Sequence, residues 1–225
     1  MSSSDLSVRM DNFIPHATQF GFFLHIPTFR QSVLLAFPLG HPSKPTPGLL
    51  YAVHLMGVHF SQPESQQAQE SILLMKALQH VTTDLLGSHP NKVIQTLQAE
   101  VLLAYYFFRV AAILEAKVHT ASAVSLALGS GLHRIRSSNI TAPSTIAIIQ
   151  DQPCALPPPA SSLQEAERIN GFWAVLMLHK FVTVSLENPA NVCGALEAPG
   201  MQIDTPWPID MDNFKEVSQH ANSYL

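Results

Sequence analysis

The sequence predicts an all-α fold, an irregular multi-helix array with helical hairpins and proline-rich loops. Three observations carry that prediction. Apolar residues recur at three- and four-residue spacings, most clearly as Ile94, Leu97, Val101, Ala104, Tyr105, Phe108 and Ala112, which marks one face of a helix. No stretch shows strong strand-like alternation. The 17 prolines gather between the periodic stretches, where they end helices rather than continue them.

Taken in order, residues 1–18 are polar at the start and read as a loose N-terminal leader. Phe20, Phe22, Phe23, Leu24, Ile26 and Phe29 form an aromatic cluster interrupted by Pro27. It reads as a short helix entering a turn, its rings anchored in a core. Four prolines between Pro38 and Gly48 make a loop. Residues 48–60 are apolar and predict a helix packed on several sides. The polar stretch from Ser61 to Gln69 predicts the exposed start of another, whose core face would use Ile72, Met75, Leu78 and Leu85, with Gly87–Pro90 as its stop.

Asn91 is placed to cap the clearest helix, which also carries Leu103, Tyr106 and Val110 on its opposite side. A helix apolar nearly all round is covered by several neighbours, so it belongs near the centre. After a connection at Lys117–Thr120, a small-residue helix marked by Ala121, Val124, Leu128 and Leu132 completes a helical hairpin ending at Gly129 and Gly131. A proline-rich connection spans 137–160. Ser162 with Glu165 gives a capping-box pattern for the next helix, with Ile169, Trp173, Leu176, Lys180 and Val184 along one side and Phe172 and Leu186 adjacent. Residues 19–210 thus form one helical domain, expected to be incomplete, and 211–225 a C-terminal tail.

Composition limits the function. Of the 225 residues 47% are apolar and 12% charged, about half the usual charged share, so much of the surface is neutral or covered by a partner. A net charge of -4, with 12 scattered basic residues, argues against this chain gripping nucleic acid, because phosphate contacts need clustered Lys and Arg. Cys154 and Cys193, the two cysteines, read as free thiols of a reducing compartment. The apolar run from Val101 to Leu114 is broken by Arg109 and falls short of the roughly 20 residues that cross a bilayer. No membrane association is expected.

Eleven histidines raise the question of metal or general-base chemistry. His54 and His59 stand five apart and so point from different faces of their helix. His16, His25, His41 and His89 lie beside proline or aromatic residues in expected loops, and His133 lies at a helix end, where it can meet free carbonyls. Glu165 and Glu167 with Arg168 open a helix, where negative charge suits the dipole. Trp173 reads as a core anchor. No G-x-S-x-G elbow and no phosphate-cradling glycine loop is present. Catalytic, cofactor-binding and metal-ligating residues are therefore none.

Four segments occur in an order that resembles a known family. They are FGFFLHIPTF from Phe20, PGLLYAVHLMGVHFS from Pro47, TLQAEVLLAYYFF from Thr96 leading to AVSLALGSGLHR from Ala123, and EAERINGFWAVLMLHK from Glu165 followed by ENPA. Together they are similar to the regulatory middle-homology domain of fungal binuclear zinc-cluster transcription factors, over roughly 21–210. The chain departs from the pattern at Phe172, where the first of two tryptophans is usual, at His179-Lys180, and at Glu187-Asn188 before Pro189.

The resemblance implies a non-catalytic regulatory domain in the nucleus that acts on RNA polymerase II transcription. Its expected partners are coregulators or a DNA-binding module of the same product, with a small-molecule effector as a further ligand. DNA binding and zinc are implied only for an upstream six-cysteine module that this chain does not contain. The alternative is a helical small-molecule- or partner-binding module without a transcriptional role.

Overall fold

The computed structural model describes residues 3–61, 67–135, 156–185, 196 and 203–211. Both cysteines, most of the proline-rich connection, Leu186, the ENPA stop and the end of the tail lie outside them. Among the described residues the elements are α-helices α1 (Ser3–Phe13), α2 (Ile26–Leu34), α3 (Pro47–Phe60), α4 (Gln67–Leu86), α5 (Lys92–Arg109), α6 (Ile113–Gly129) and α7 (Ser162–Ser185). Two 3-10 helices, Ile14–Phe20 and Leu132–Arg134, join them, and no strand occurs among these residues. The all-α prediction holds.

Two inner helices organise the core. Helix α3 packs against α1, α4 and α5, while α5 packs against α3, α4, α6 and α7. Both have little choice: Leu49, Val53, Leu55 and Met56 of α3 and Leu97, Val101, Leu102 and Leu103 of α5 are all completely buried, on every side of their helices. Helices α3 and α1 touch backbone to backbone, because a Cβ at Gly57 would run into the Arg9 carbonyl.

Several expectations are corrected. The segment read as a loose leader is helical, with Met10, Phe13 and Ala17 buried in the core at helical spacing. The aromatic cluster is not a short helix: Gly21 is left-handed, 22–25 are irregular, and α2 begins at Ile26 with Pro27 in its first turn. In α4 the core face is Leu73, Ala77 and Val81, whereas Ile72 and Met75 are 54% and 72% exposed. Close approach selects this face, since a Cβ at Gly48 of α3 would lie 3.0 Å from Val81 backbone.

The α5–α6 connection lies at residues 110–112, and Lys117–Thr120 are within α6. In α7 the buried line is Ile169, Phe172, Val175 and Val182, while Trp173 and Leu176 are half-buried and Lys180 and Val184 exposed. The α7 cap sits one residue early: the Gln164 amide donates to Ser161 Oγ at 3.1 Å, and Gln164 Oε1 accepts from Ala160 N at 2.7 Å. Asn91 stands at the expected cap position of α5, but its side-chain oxygen accepts from Gln164 Nε2 at 3.3 Å instead.

Candidate regulatory face

Helix α7 and the aromatic corner after the first 3-10 helix meet along one face of the array, and polar side chains on straight helices hold the irregular backbone there. Gln98 of α5, fully buried, accepts from Phe23 N at 2.7 Å and donates to Gly21 O at 3.1 Å. This is the role of the glutamine in TLQA. A buried backbone group robbed of its partner costs about 1–3 kcal/mol, so an apolar residue at position 98 would leave two such groups stranded. Gly21 has φ +66 and lies where a Cβ would press on Val101 at 3.0 Å. The Phe23 ring rests on Gly171 of α7, 3.1 Å from where its Cβ would stand.

Glu167 Oε1 accepts from His25 N at 3.0 Å. Burial pushes its carboxyl above the ordinary glutamate range, while that hydrogen bond draws it back. One turn on, Asn170 binds both main-chain groups of Ile209, donating Nδ2 to its oxygen and accepting its amide, each at 2.8 Å. Trp173 Nε1 donates to Pro206 O at 2.6 Å, and its ring stacks on Trp207 at 4.9 Å and 13°. Trp173 is therefore no core anchor. It is a half-buried platform, and Phe172 beside it is the anchor.

Clefts among the described residues line this face. One of about 360 Å³ is bounded by Phe22, Tyr105, Trp173, Ala174, Met177 and Pro208. Across Asn170 and Phe22 lies a second of about 250 Å³, closed on one side by Ile209, Asp210 and Met211. A third of about 270 Å³ lies at the starts of α5 and α7, with Lys44, Gln95, Gln164 and Glu167 among its walls. The first has the aromatic lining and sparse polar groups of a ligand site, and burial raises the Tyr105 phenol there.

The histidines are dispersed. His54 is completely buried, and neither ring nitrogen has a hydrogen-bond partner. Burial, then the nearby Arg9 charge, lowers its pKa to about 4. His59 sits between Glu70, 2.8 Å from Nδ1, and Arg109, whose Nε donates to Nε2 at 2.9 Å. Both ring nitrogens thus have protein partners, which tie α3 to α4 and α5.

His119 bonds Glu100 at 2.6 Å and stacks on Phe107, tying α6 to α5. His16 packs on the Phe60 ring, His25 bonds Thr28, His41 stacks on Phe37, and His89 bonds Lys44 O. His133 meets the chain through its backbone oxygen, which accepts from Asp204 N at 2.8 Å. Arg168 is buried and donates to Pro157 O at 2.6 Å. No group of three His, Cys, Asp or Glu side chains among the described residues could hold a metal ion. No helix among them is long and apolar enough to cross a membrane.

The family model of the fungal specific transcription factor domain matches residues 12–225. The chain belongs to that family. No curated protein and no solved structure matches it. As a fungal transcription factor domain it carries the signatures that the sequence displays in order. The TLQA glutamine and the α7 segment EAERINGFW meet at the aromatic corner, so that FGFF, TLQA and INGFW form one assembly in space. The zinc cluster associated with such factors does not fit here, because a whole-chain total of two cysteines cannot supply six thiolates.

Proposed function

We propose that this chain is the non-catalytic regulatory domain of a nuclear transcription factor, and that it biases RNA polymerase II transcription by engaging a partner along the α7 face. Zinc and sequence-specific DNA contact belong to a separate module in this reading. The family match over residues 12–225 carries it, and the face assembled from Gln98, Asn170 and Trp173 is the surface on which such coupling would act. A partner regulates only if it binds two states of the domain unequally.

The test is a reporter driven by the chain fused to a foreign DNA-binding module. The expected output differs from that of the module alone and changes again when residues 96–189 are removed. Identical output from all three fusions would overturn the proposal.

The cleft of about 360 Å³ beside Tyr105 and Trp173 supports a second reading, a small-molecule-binding module without transcriptional work. A metabolite that raises the melting temperature of the purified chain strongly would support it. No thermal response across a broad library would count against it.

A further inference from the structure

Residues 203–211, Ile-Asp-Thr-Pro-Trp-Pro-Ile-Asp-Met, run without regular secondary structure over α7 and the 3-10 turn Leu132–Arg134. The way they are held is that of a bound peptide. Asp204 N donates to His133 O at 2.8 Å. The Thr205 hydroxyl donates to Leu132 O at 2.6 Å and accepts from Ile135 N at 3.3 Å. Pro206 O accepts from the Trp173 indole, and Ile209 meets Asn170 through both its main-chain groups. Four of the segment's groups named here, Asp204 N, Pro206 O, Ile209 N and Ile209 O, are main chain. Side-chain recognition comes from the Trp207 ring, stacked face to face on Trp173, and from Thr205.

Two further properties separate this segment from the core. None of its nine residues is buried, and Trp207 is 78% exposed although it is stacked. A segment held by bonds that are only partly buried, with little apolar burial, opens at low free energy. It is also stiff: Thr205 and Trp207 each precede a proline and are confined to extended conformations, and both prolines have fixed φ. A rigid extended peptide loses little entropy on docking, which is the advantage that proline-rich ligands bring to aromatic grooves.

We infer that the Asn170–Trp173 face is a peptide groove occupied in cis, and that residues 203–211 are a removable self-ligand. The partner that fits the groove is an extended segment of another protein with an aromatic residue between prolines, its backbone read by Asn170 two residues beyond the aromatic. Displacement would also open the clefts walled by Pro208 and by Ile209–Met211. The inference rests on the proposed function only for what the partner does. Peptide binding and the reporter response fail independently.

The probe is a dye-labelled synthetic peptide of residues 203–211, followed by fluorescence anisotropy against the full chain. The Trp207→Ala chain, whose own segment is weakened, is expected to bind it saturably. The unaltered chain should bind roughly tenfold more weakly or less, because only the fraction with an open groove is competent. Binding should vanish when Asn170→Ala is added, and a peptide with alanine for tryptophan should compete poorly. No binding by the Trp207→Ala chain, or equal binding by all three chains, would overturn the inference.

Hydrogen exchange on the unaltered chain is a second measurement that needs no substitution. The Ile209 amide should exchange at least a hundredfold faster than the buried amides of α7. Equal protection would make the segment part of the core, and there would be no groove to exchange.

Discussion

Helices α5 and α7 are both rich in apolar residues, yet one shows its place in the sequence and the other does not. α5 is enclosed by α3, α4, α6 and α7. Any line of apolar residues along it is a buried line, and an error in its rotation costs nothing. α7 stands at the edge, with Phe172, Val175 and Val182 inward, Asn170 and Trp173 beneath residues 203–211, and Met177 and Val184 63% and 77% exposed. Ile169–Trp173–Leu176–Lys180 and Ile169–Phe172–Val175–Val182 both obey helical spacing. Packing against α6 and the Phe23 ring decides between them. Apolar content reports that a helix is covered, whereas orientation is legible only when one side is plainly polar.

Neighbouring residues of α7 give the sharpest way to break this contrast. Phe172→Ala removes a fully buried ring and should cost about 3–5 kcal/mol. Trp173→Ala loses a stacked ring and one hydrogen bond at the surface, about 1–2 kcal/mol. Urea denaturation of the two variants measures both. Equal losses, or the larger one at Trp173, would show that α7 is turned the other way.

His54 tests the inner helices through pH. Its folded pKa, lowered from 6.5 to about 4, means that the unfolded chain binds the proton first. The neutral buried ring therefore favours folding fully at neutral pH, and that advantage is lost as pH falls from about 6.5 towards 4. At roughly 1.4 kcal/mol per pKa unit the loss amounts to about 3 kcal/mol. His133, also lowered by burial, acts in the same direction, whereas Glu167 and Asp84, raised by burial, act oppositely near the carboxylate range. Chemical denaturation of His54→Leu from pH 7 to 4 should show a flatter fall than the unaltered chain. Parallel curves would mean that this imidazole is not buried uncharged.

How much could be read from the sequence follows from the same contrast. Fold class, the central position of α5 and the tight α3 were legible, because burial on all sides leaves a plain apolar record. The core faces of α4 and α7 were not, and the α1 pattern of Met10, Phe13 and Ala17 was hidden by the polar residues around it. At the candidate site, Gln98 and Asn170 escaped notice although each stands in an otherwise apolar run. A polar side chain inside such a run must find a partner when buried, and that was the available signal. Nothing local in the sequence could reveal that the partners were backbone groups at Gly21, Phe23 and Ile209, because those contacts join distant parts of the chain.

The end of α5 was misplaced for another reason, and it yields the smallest predicted effect. Ala111 has φ 58, a left-handed conformation that glycine usually supplies. The Ala112 amide reaches Phe107 O at 2.9 Å and the Ala111 amide reaches Phe108 O at 3.1 Å, the paired bonds of a Schellman motif. Because alanine occupies the position, no glycine marks the break, and the hairpin connection was expected several residues later. Alanine in this conformation costs about 1 kcal/mol or more, which glycine relieves while adding some freedom to the unfolded chain. Ala111→Gly should therefore stabilise the domain by about 0.5–1 kcal/mol in thermal or urea unfolding. Destabilisation would mean that residue 111 is not left-handed. α5 would then run into α6 without this turn, and the central helix would lose its one boundary that rests on backbone geometry rather than on side-chain pattern.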